Sequence, residues 1–90
     1  MNVPPSVDGE RDPVIVATAA SRLRRRPGTI RSWAVRYKAR KLGTFQGRTV
    51  YDFEDLATIE GCIHRGDDVP ATPEARDELR ARLNNAYRVA

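Results

Sequence analysis

The chain has 90 residues, of which 40% are hydrophobic, and a formal net charge of +4, which favours one small domain. Cys62 is the only cysteine, which excludes an intramolecular disulfide, and no cysteine and histidine cluster has zinc-ligand spacing. Neither a signal-peptide pattern nor an apolar run of roughly 20 residues is present, so we expect a soluble cytoplasmic protein without membrane, metal or cofactor.

The basic residues are concentrated in one part of the chain. Residues 14–51, here called the basic block, contain ten basic residues and no acidic one, whereas residues 52–90 contain five basic and nine acidic residues. A segment without carboxylates cannot neutralise its own arginines, so we expect it to attract a polyanion. This predicts double-stranded DNA as partner, and the alternative is a solvated basic surface.

Residues 1–13 are rich in proline, glycine and charge, so we expect them to form a flexible tail. From Val16 to about Arg24 the apolar residues recur at helical spacing, which predicts a short first helix. Pro27 then indicates the first turn of a second helix, since its missing N–H costs nothing there. We therefore expect the two helices to meet at a tight turn near Arg25 and Arg26.

The second helix has one apolar face and one polar face. Its inward residues at positions i, i+3, i+4 and i+7 are Ile30, Trp33, Ala34 and Tyr37. The residues left facing outward are Thr29, Arg31, Ser32, Val35 and Arg36. Two short helices joined by such a turn predict a helix-turn-helix, whose second helix enters a major groove and presents arginines to guanine.

After Gly43 the pattern changes to alternation over residues 44–51, with Gln46 and Gly47 in the middle. This pattern predicts a β-hairpin. Beside a DNA-binding helix the hairpin would be a wing, with Arg48 reaching the DNA backbone or minor groove. The alternative is a structural hairpin that only covers the core, and the two readings are compatible because alternate residues face opposite sides.

Two further helices complete the prediction. Asp52 is expected to cap a third helix through its side chain, and Gly66 to end it, so that residues 14–66 form the DNA-binding domain. We expect residues 67–71 to form a linker. Thr72 and Pro73 are expected to begin a fourth helix over residues 72–90. The apolar stripe of this helix consists of Ala75, Leu79, Leu83 and Tyr87. We expect it to fold back onto the domain or to pair with a second copy.

The run VATAASRLRRRPGTIRSW, followed by KLG, a glycine-centred hairpin and YDFEDL, resembles the winged helix-turn-helix of the MerR superfamily, in the small stand-alone form of phage excisionases and actinobacterial regulators. The resemblance covers residues 14–63. It implies that Thr29, Arg31, Ser32 and Arg36 contact DNA from the recognition helix and that Arg48 does so from the wing. The chain departs from the family in the turn, where Arg24 and Arg26 replace a glycine and a small polar cap. Either the turn is altered or these arginines add phosphate contacts.

The predicted fold is therefore mainly α with a small β-hairpin, a winged helix-turn-helix followed by a C-terminal helix. The predicted DNA contacts are Arg22, Arg24, Arg25, Arg26, Thr29, Arg31, Ser32, Arg36, Lys38, Arg40, Gln46 and Arg48.

Three functions are compatible with the sequence, and none of them is enzymatic. The first is a sequence-specific DNA-binding protein at the nucleoid, acting as an excisionase with an integrase or with further copies of itself on adjacent sites, or as a small transcriptional regulator without a small-molecule ligand. The second is a DNA-packaging subunit similar to small terminases. The third is a module whose basic face binds an acidic protein. Salt-sensitive duplex binding separates the third from the others.

Overall fold

The computed structural model describes residues 11–89, which are mainly helical and carry a small antiparallel sheet. The elements in chain order are β1 (Pro13–Ile15), α1 (Val16–Leu23), α2 (Pro27–Arg36), β2 (Lys41–Phe45), β3 (Arg48–Asp52), α3 (Phe53–Arg65) and α4 (Pro73–Val89). The prediction of a mainly α chain with a small hairpin is confirmed at this level.

The connection between α1 and α2 is short and tightly hydrogen-bonded. Arg24 caps α1 in the left-handed conformation, with φ of 56° and ψ of 47°. The amide N–H of Arg25 donates to the carbonyl oxygen of Ala20 at 3.0 Å, and Pro27 occupies the first turn of α2. α1 therefore ends in a left-handed conformation that glycine usually adopts, and here an arginine adopts it.

The sheet contains the predicted hairpin and one further strand that was not predicted. Gln46 and Gly47 connect β2 to β3 with φ of 51° and 76°, the positive values that favour a tight hairpin turn. β1 pairs antiparallel with β3 on the other side, so the strand order is β1-β3-β2.

The last residues of the predicted tail, residues 1–13, belong to the folded part of the chain. Pro13 begins β1, and the carbonyl oxygen of Asp12 accepts a hydrogen bond from the amide of Phe53 at 2.8 Å. Pro13 is tolerated because it is the first residue of an edge strand. Residues 1–10 of the predicted tail lie outside the described residues.

A hydrophobic core lies between the sheet and the first three helices. Its buried residues are Val14, Ala19, Ala20, Ile30, Ala34, Ala39, Tyr51, Leu56 and Ile59, and Trp33, Tyr37 and Phe53 pack against its edge. The small alanines of α1 and α2 let these helices approach closely. The core therefore holds α2 against α1 and α3, with its opposite face outward.

α3 begins and ends where the sequence predicts, but the side chain of Asp52 does not cap the helix as predicted. Asp52 makes no side-chain hydrogen bond to the first turn of α3. Its buried carboxylate instead accepts hydrogen bonds from Nη1 of Arg11 at 3.2 Å and from the amide of Asp12 at 3.4 Å. Gly66 ends the helix in the left-handed conformation, with φ of 78°.

The first half of α4 packs against α3, which agrees with the fold-back alternative. Thr72 caps the helix, because its Oγ1 accepts a hydrogen bond from the amide of Ala75 at 3.1 Å. The predicted apolar stripe is not the main packing face. Arg76 is fully buried, whereas Leu83 is 45% exposed and residues 81–86 are all exposed. The side chain of Tyr87, assigned to that stripe, lies outside the described residues.

Candidate nucleic-acid interface

The solvent face of α2 carries exposed basic residues, Arg31 and Arg36. Ile30 and Ala34 are buried on the inner face of this helix, as the periodicity predicts. The opposite face borders a shallow depression of about 480 Å³, lined by Gly28, Arg31, Ser32, Val35 and Arg36. Thr29, which was predicted to face outward with them, is half-buried at the edge of this face.

A cleft joins α2 to the hairpin. Its volume is about 480 Å³, and it is lined by Ile15, Val16, Ala17, Pro27, Arg31, Arg48, Thr49 and Tyr51. Arg31 enters this cleft from α2 and Arg48 enters it from the first residue of β3. Two predicted DNA contacts that are 17 positions apart in the chain therefore line one surface, here called the α2–hairpin cleft.

Three arginines of the basic block are neutralised by carboxylates from other parts of the chain. Arg22 pairs with Asp12 at 2.7 Å and Arg25 pairs with Glu60 at 2.9 Å.

Arg40 is the third, and it pairs with Asp77 at 2.8 Å and with Glu74 at 3.2 Å. Its side chain is only 15% exposed. All three arginines belong to the predicted contact set, but each already has a carboxylate partner and is therefore less available to DNA.

Three arginines of the basic block stack on aromatic rings in residues 11–89. The guanidinium of Arg36 lies 5.8 Å from the ring centroid of Tyr37 without an ion pair in that range, whereas Arg22 and Arg25 combine a ring contact with an ion pair. The guanidinium of Arg22 lies 4.8 Å from the ring centroid of Phe53, and that of Arg25 lies 5.6 Å from the ring centroid of Trp33. For Arg22 and Arg25, such contacts add to the reasons why these side chains stay on the protein. Trp33 is thus engaged in packing within the molecule.

The remaining basic residues of the block have no ion-pair partner in residues 11–89. They are Arg24, Arg26, Arg31, Arg36, Lys38, Lys41 and Arg48. Each of them is exposed. Gln46, the uncharged member of the predicted set on the hairpin, is exposed in the turn beside Arg48.

A buried ion pair that was not predicted from the sequence lies against the segment that follows α2. Arg76 donates from Nε to Oδ1 of Asp55 at 2.6 Å and from Nη2 to Oδ2 at 2.8 Å. Both side chains are fully buried. The paired geometry matches the fork of the guanidinium to the two carboxylate oxygens.

The same pair holds the chain between α2 and β2. Nη2 of Arg76 also donates to the carbonyl oxygen of Lys38 at 3.3 Å, and Oδ2 of Asp55 accepts from the amide of Arg40 at 2.8 Å. Nη1 of Arg76 donates to the carbonyl oxygen of Pro70 at 2.8 Å. α4 therefore stabilises the position of the segment that leads from the basic helix to the hairpin.

A sequence signal for this pair existed. Asp55 stands at helical spacing from the buried Ile59 and Cys62, which places it on the inner face of α3. Charge alone would place Asp52 and Asp55 at the surface, but both are buried. A buried carboxylate requires a cationic partner.

A second charged cluster lies at the base of the sheet, around Asp77. This carboxylate accepts hydrogen bonds from Arg11 at 3.3 Å and from Arg40 at 2.8 Å, and it is also bound by Arg80. Burial opposes the charge of Asp77, but the hydrogen bonds and the attraction of Arg40 and Arg11 outweigh that cost and hold its pKa below the ordinary value. Asp77 therefore stays ionised near neutral pH.

Searches against protein-family models, curated proteins and solved structures gave no match to this chain. The resemblance to the MerR superfamily stays a prediction from the residues. Within residues 11–89, every helix is too short or too polar to cross a lipid bilayer.

Proposed function

We propose that this chain is a sequence-specific double-stranded DNA-binding protein of the winged helix-turn-helix type. In this proposal α2 enters the major groove and the β2–β3 hairpin acts as the wing on the backbone or in the adjacent minor groove. We expect it to act at the nucleoid, where duplex DNA is available.

The observation that carries the proposal is the α2–hairpin cleft with its unneutralised arginines. Arg31 from the helix and Arg48 from the hairpin line the same surface, and neither has an ion-pair partner in the described residues. A polyanion that follows this surface would neutralise both charges at once and release its counterions. The ten residues of α2 make a cylinder whose width matches the major groove, about 12 Å wide.

The side chains on the outer face of α2 are suited to base edges. Arg31 and Arg36 can each donate two parallel hydrogen bonds to O6 and N7 of guanine, and Ser32 can bond to a base edge or a phosphate. The exposed arginines of the turn, Arg24 and Arg26, are suited to phosphates. These side chains support a model in which α2 reads the base sequence, while the turn and the hairpin position the protein on the phosphate backbone.

The proposal covers two biological roles, recombination directionality and transcriptional regulation. The arrangement of binding sites distinguishes them. A directionality factor loads side by side on repeated sites and bends the DNA toward an integrase, whereas a regulator can act at one operator. Cooperative binding to direct repeats would favour the first role.

The test is selection of bound sites from a random duplex library at near-physiological salt. We expect enrichment of a short motif for the full chain and its loss for the Arg31→Ala, Arg48→Ala double variant. Arg82→Ala is the matched control, because Arg82 is an exposed arginine on α4, away from the cleft. Binding without any enriched motif, or enrichment that survives the double variant, would contradict the proposal.

A further inference from the structure

Val35 is an exposed apolar residue in the middle of a polar surface. Its side chain is 72% exposed, more than that of Leu42, Phe45 or Leu83. It lies on the outer face of α2 with Arg31, Ser32 and Arg36 around the same depression. The face proposed to meet DNA therefore carries one branched hydrocarbon side chain between charged and hydroxyl groups.

Folding does not account for a valine at this position. The inner face of α2 is filled by Ile30 and Ala34, which are buried, and by Trp33 at the core edge. An exposed valine gains little from burial, and its branched Cβ makes it a poorer helix former than alanine, lysine or arginine. A side chain that contributes neither packing nor helix propensity is free to serve a contact with another molecule.

The major groove offers one apolar group on its base edges, the methyl group at C5 of thymine. The same methyl group is present in 5-methylcytosine. Because a valine side chain cannot hydrogen-bond, it can distinguish bases only through such a hydrocarbon surface. The polar neighbours Arg31 and Ser32, four and three residues earlier on the same helix face, would bond to adjacent base edges.

We infer that Val35 is a specificity-determining residue that contacts the C5 methyl group of a pyrimidine, in the first place thymine. This inference rests on the proposed function and deepens it, since it names a chemical group that the recognition helix reads. One helical turn separates Val35 from Arg31, so the thymine is expected within about two base pairs of the guanine contacted by Arg31.

The experiment uses the motif obtained by site selection and replaces each thymine in turn by deoxyuridine, which lacks only the methyl group. Dissociation constants for the full chain are measured by fluorescence anisotropy at fixed salt. We expect one substitution to weaken binding about fourfold, the factor that burial of one methyl group contributes. Cytosine and 5-methylcytosine at that position form a second arm, in which the methylated base is expected to bind more tightly.

The link to Val35 is tested by repeating the comparison with Val35→Ser. This variant is expected to bind the thymine and deoxyuridine duplexes equally, because it has no hydrocarbon branch to contact the methyl group. Leu83→Ser is the matched control, an exposed apolar side chain on α4 removed in the same way, and it should keep the fourfold difference. Circular dichroism checks that both variants are folded.

The outcomes separate the inference from the proposed function. If the protein selects a motif but no thymine position shows the difference, or if Val35→Ser retains it, Val35 does not read a methyl group and the proposed function stands. If affinity differs between cytosine and 5-methylcytosine but not between thymine and deoxyuridine, Val35 contacts a methyl group but thymine is not its target. If no duplex binding is measured, both the inference and the proposed function fail.

Discussion

Arg24 has a backbone conformation that is costly for an arginine. With φ of 56° it is left-handed, and an L-residue with a side chain loses about 1–2 kcal/mol there. Glycine would avoid that cost, although it loses about 0.5–1 kcal/mol through its greater freedom in the unfolded chain. The side chain of Arg24 is exposed, so nothing in its burial offsets this strain.

We therefore predict that Arg24→Gly leaves the free energy of unfolding unchanged or raises it by up to about 1.5 kcal/mol. Duplex DNA binding should weaken, and its dependence on salt should become shallower by about one phosphate contact. Urea denaturation and salt-dependent binding measure the two effects. Arg24→Lys is the control, because it keeps the charge and the strain. Unchanged affinity in Arg24→Gly would show that Arg24 does not contact DNA.

Arginines on α2 and on the hairpin are expected to differ in the kind of contact they make. Arg31→Ala or Arg36→Ala should each cost about 1–3 kcal/mol of binding free energy on the preferred site and change which sequence is preferred. Arg48→Ala should weaken binding to all sequences alike and reduce the salt dependence. Binding to the selected site and to a scrambled duplex is compared for each variant. Equal losses on both duplexes for all three variants would mean that α2 does not read bases.

At the scale of elements, α4 is attached to the rest of the molecule chiefly by charge. Arg76 and Asp55 are fully buried against each other, and Asp77 binds two arginines from outside α4, Arg11 and Arg40. A buried pair is not a strong net source of stability, because desolvation offsets much of the attraction. Loss of one partner is nevertheless severe, since it leaves an uncompensated charge inside the protein.

We predict that Arg76→Met lowers the free energy of unfolding by about 3–5 kcal/mol, a large part of the stability of a small domain. Asp55→Leu should be similarly costly, and the double variant should lose clearly less than the sum of the two single losses. Urea denaturation followed by circular dichroism measures all three. Arg82→Met, at an exposed position on the same helix, should change stability by less than about 0.5 kcal/mol. Additive losses in the double variant would contradict a direct interaction.

For the molecule as a whole, fewer basic side chains are available to bind a polyanion than the sequence of the basic block contains. The basic block contains ten basic residues, but Arg22, Arg25 and Arg40 pair with carboxylates from outside it. Seven basic residues of the block remain without an ion-pair partner in the described residues.

These seven charges limit the expected salt dependence of DNA binding. If each meets a phosphate, a plot of log affinity against log salt has a slope of about −6, whereas all ten would give about −9. We predict a slope no steeper than about −6, measured by anisotropy with a duplex of fixed length. A slope near −9 would show that the arginines exchange their carboxylate partners for phosphates on binding.

Much of the fold was predictable because its signals are local. Pro27 begins α2, Gly47 takes the positive φ of the hairpin turn, and Gly66 ends α3, each through backbone angles that the residue itself prefers. The outward face of α2 followed from helical periodicity alone. β1 was missed because three residues carry too little pattern, and its partner strand lies far away in the chain.

The charged groups show the limit of this reasoning. Asp52 was predicted to cap α3 because an aspartate before a helix usually does so, yet its carboxylate turns to Arg11, 41 positions away. The charge of Asp55 favours a surface position, but the residue lies on the buried face of α3. In both cases a cationic partner from a distant segment outweighs the local preference.

The sequence by itself determined where the helices and the hairpin lie and which face of α2 points outward, since these depend on backbone preferences and on spacing along one element. Only the tertiary structure decided which arginines are free to meet a polyanion. The carboxylate partners of Arg25 and Arg40 lie 35 and 37 positions away in the chain, and an ion pair forms only where folding brings two opposite charges within contact distance.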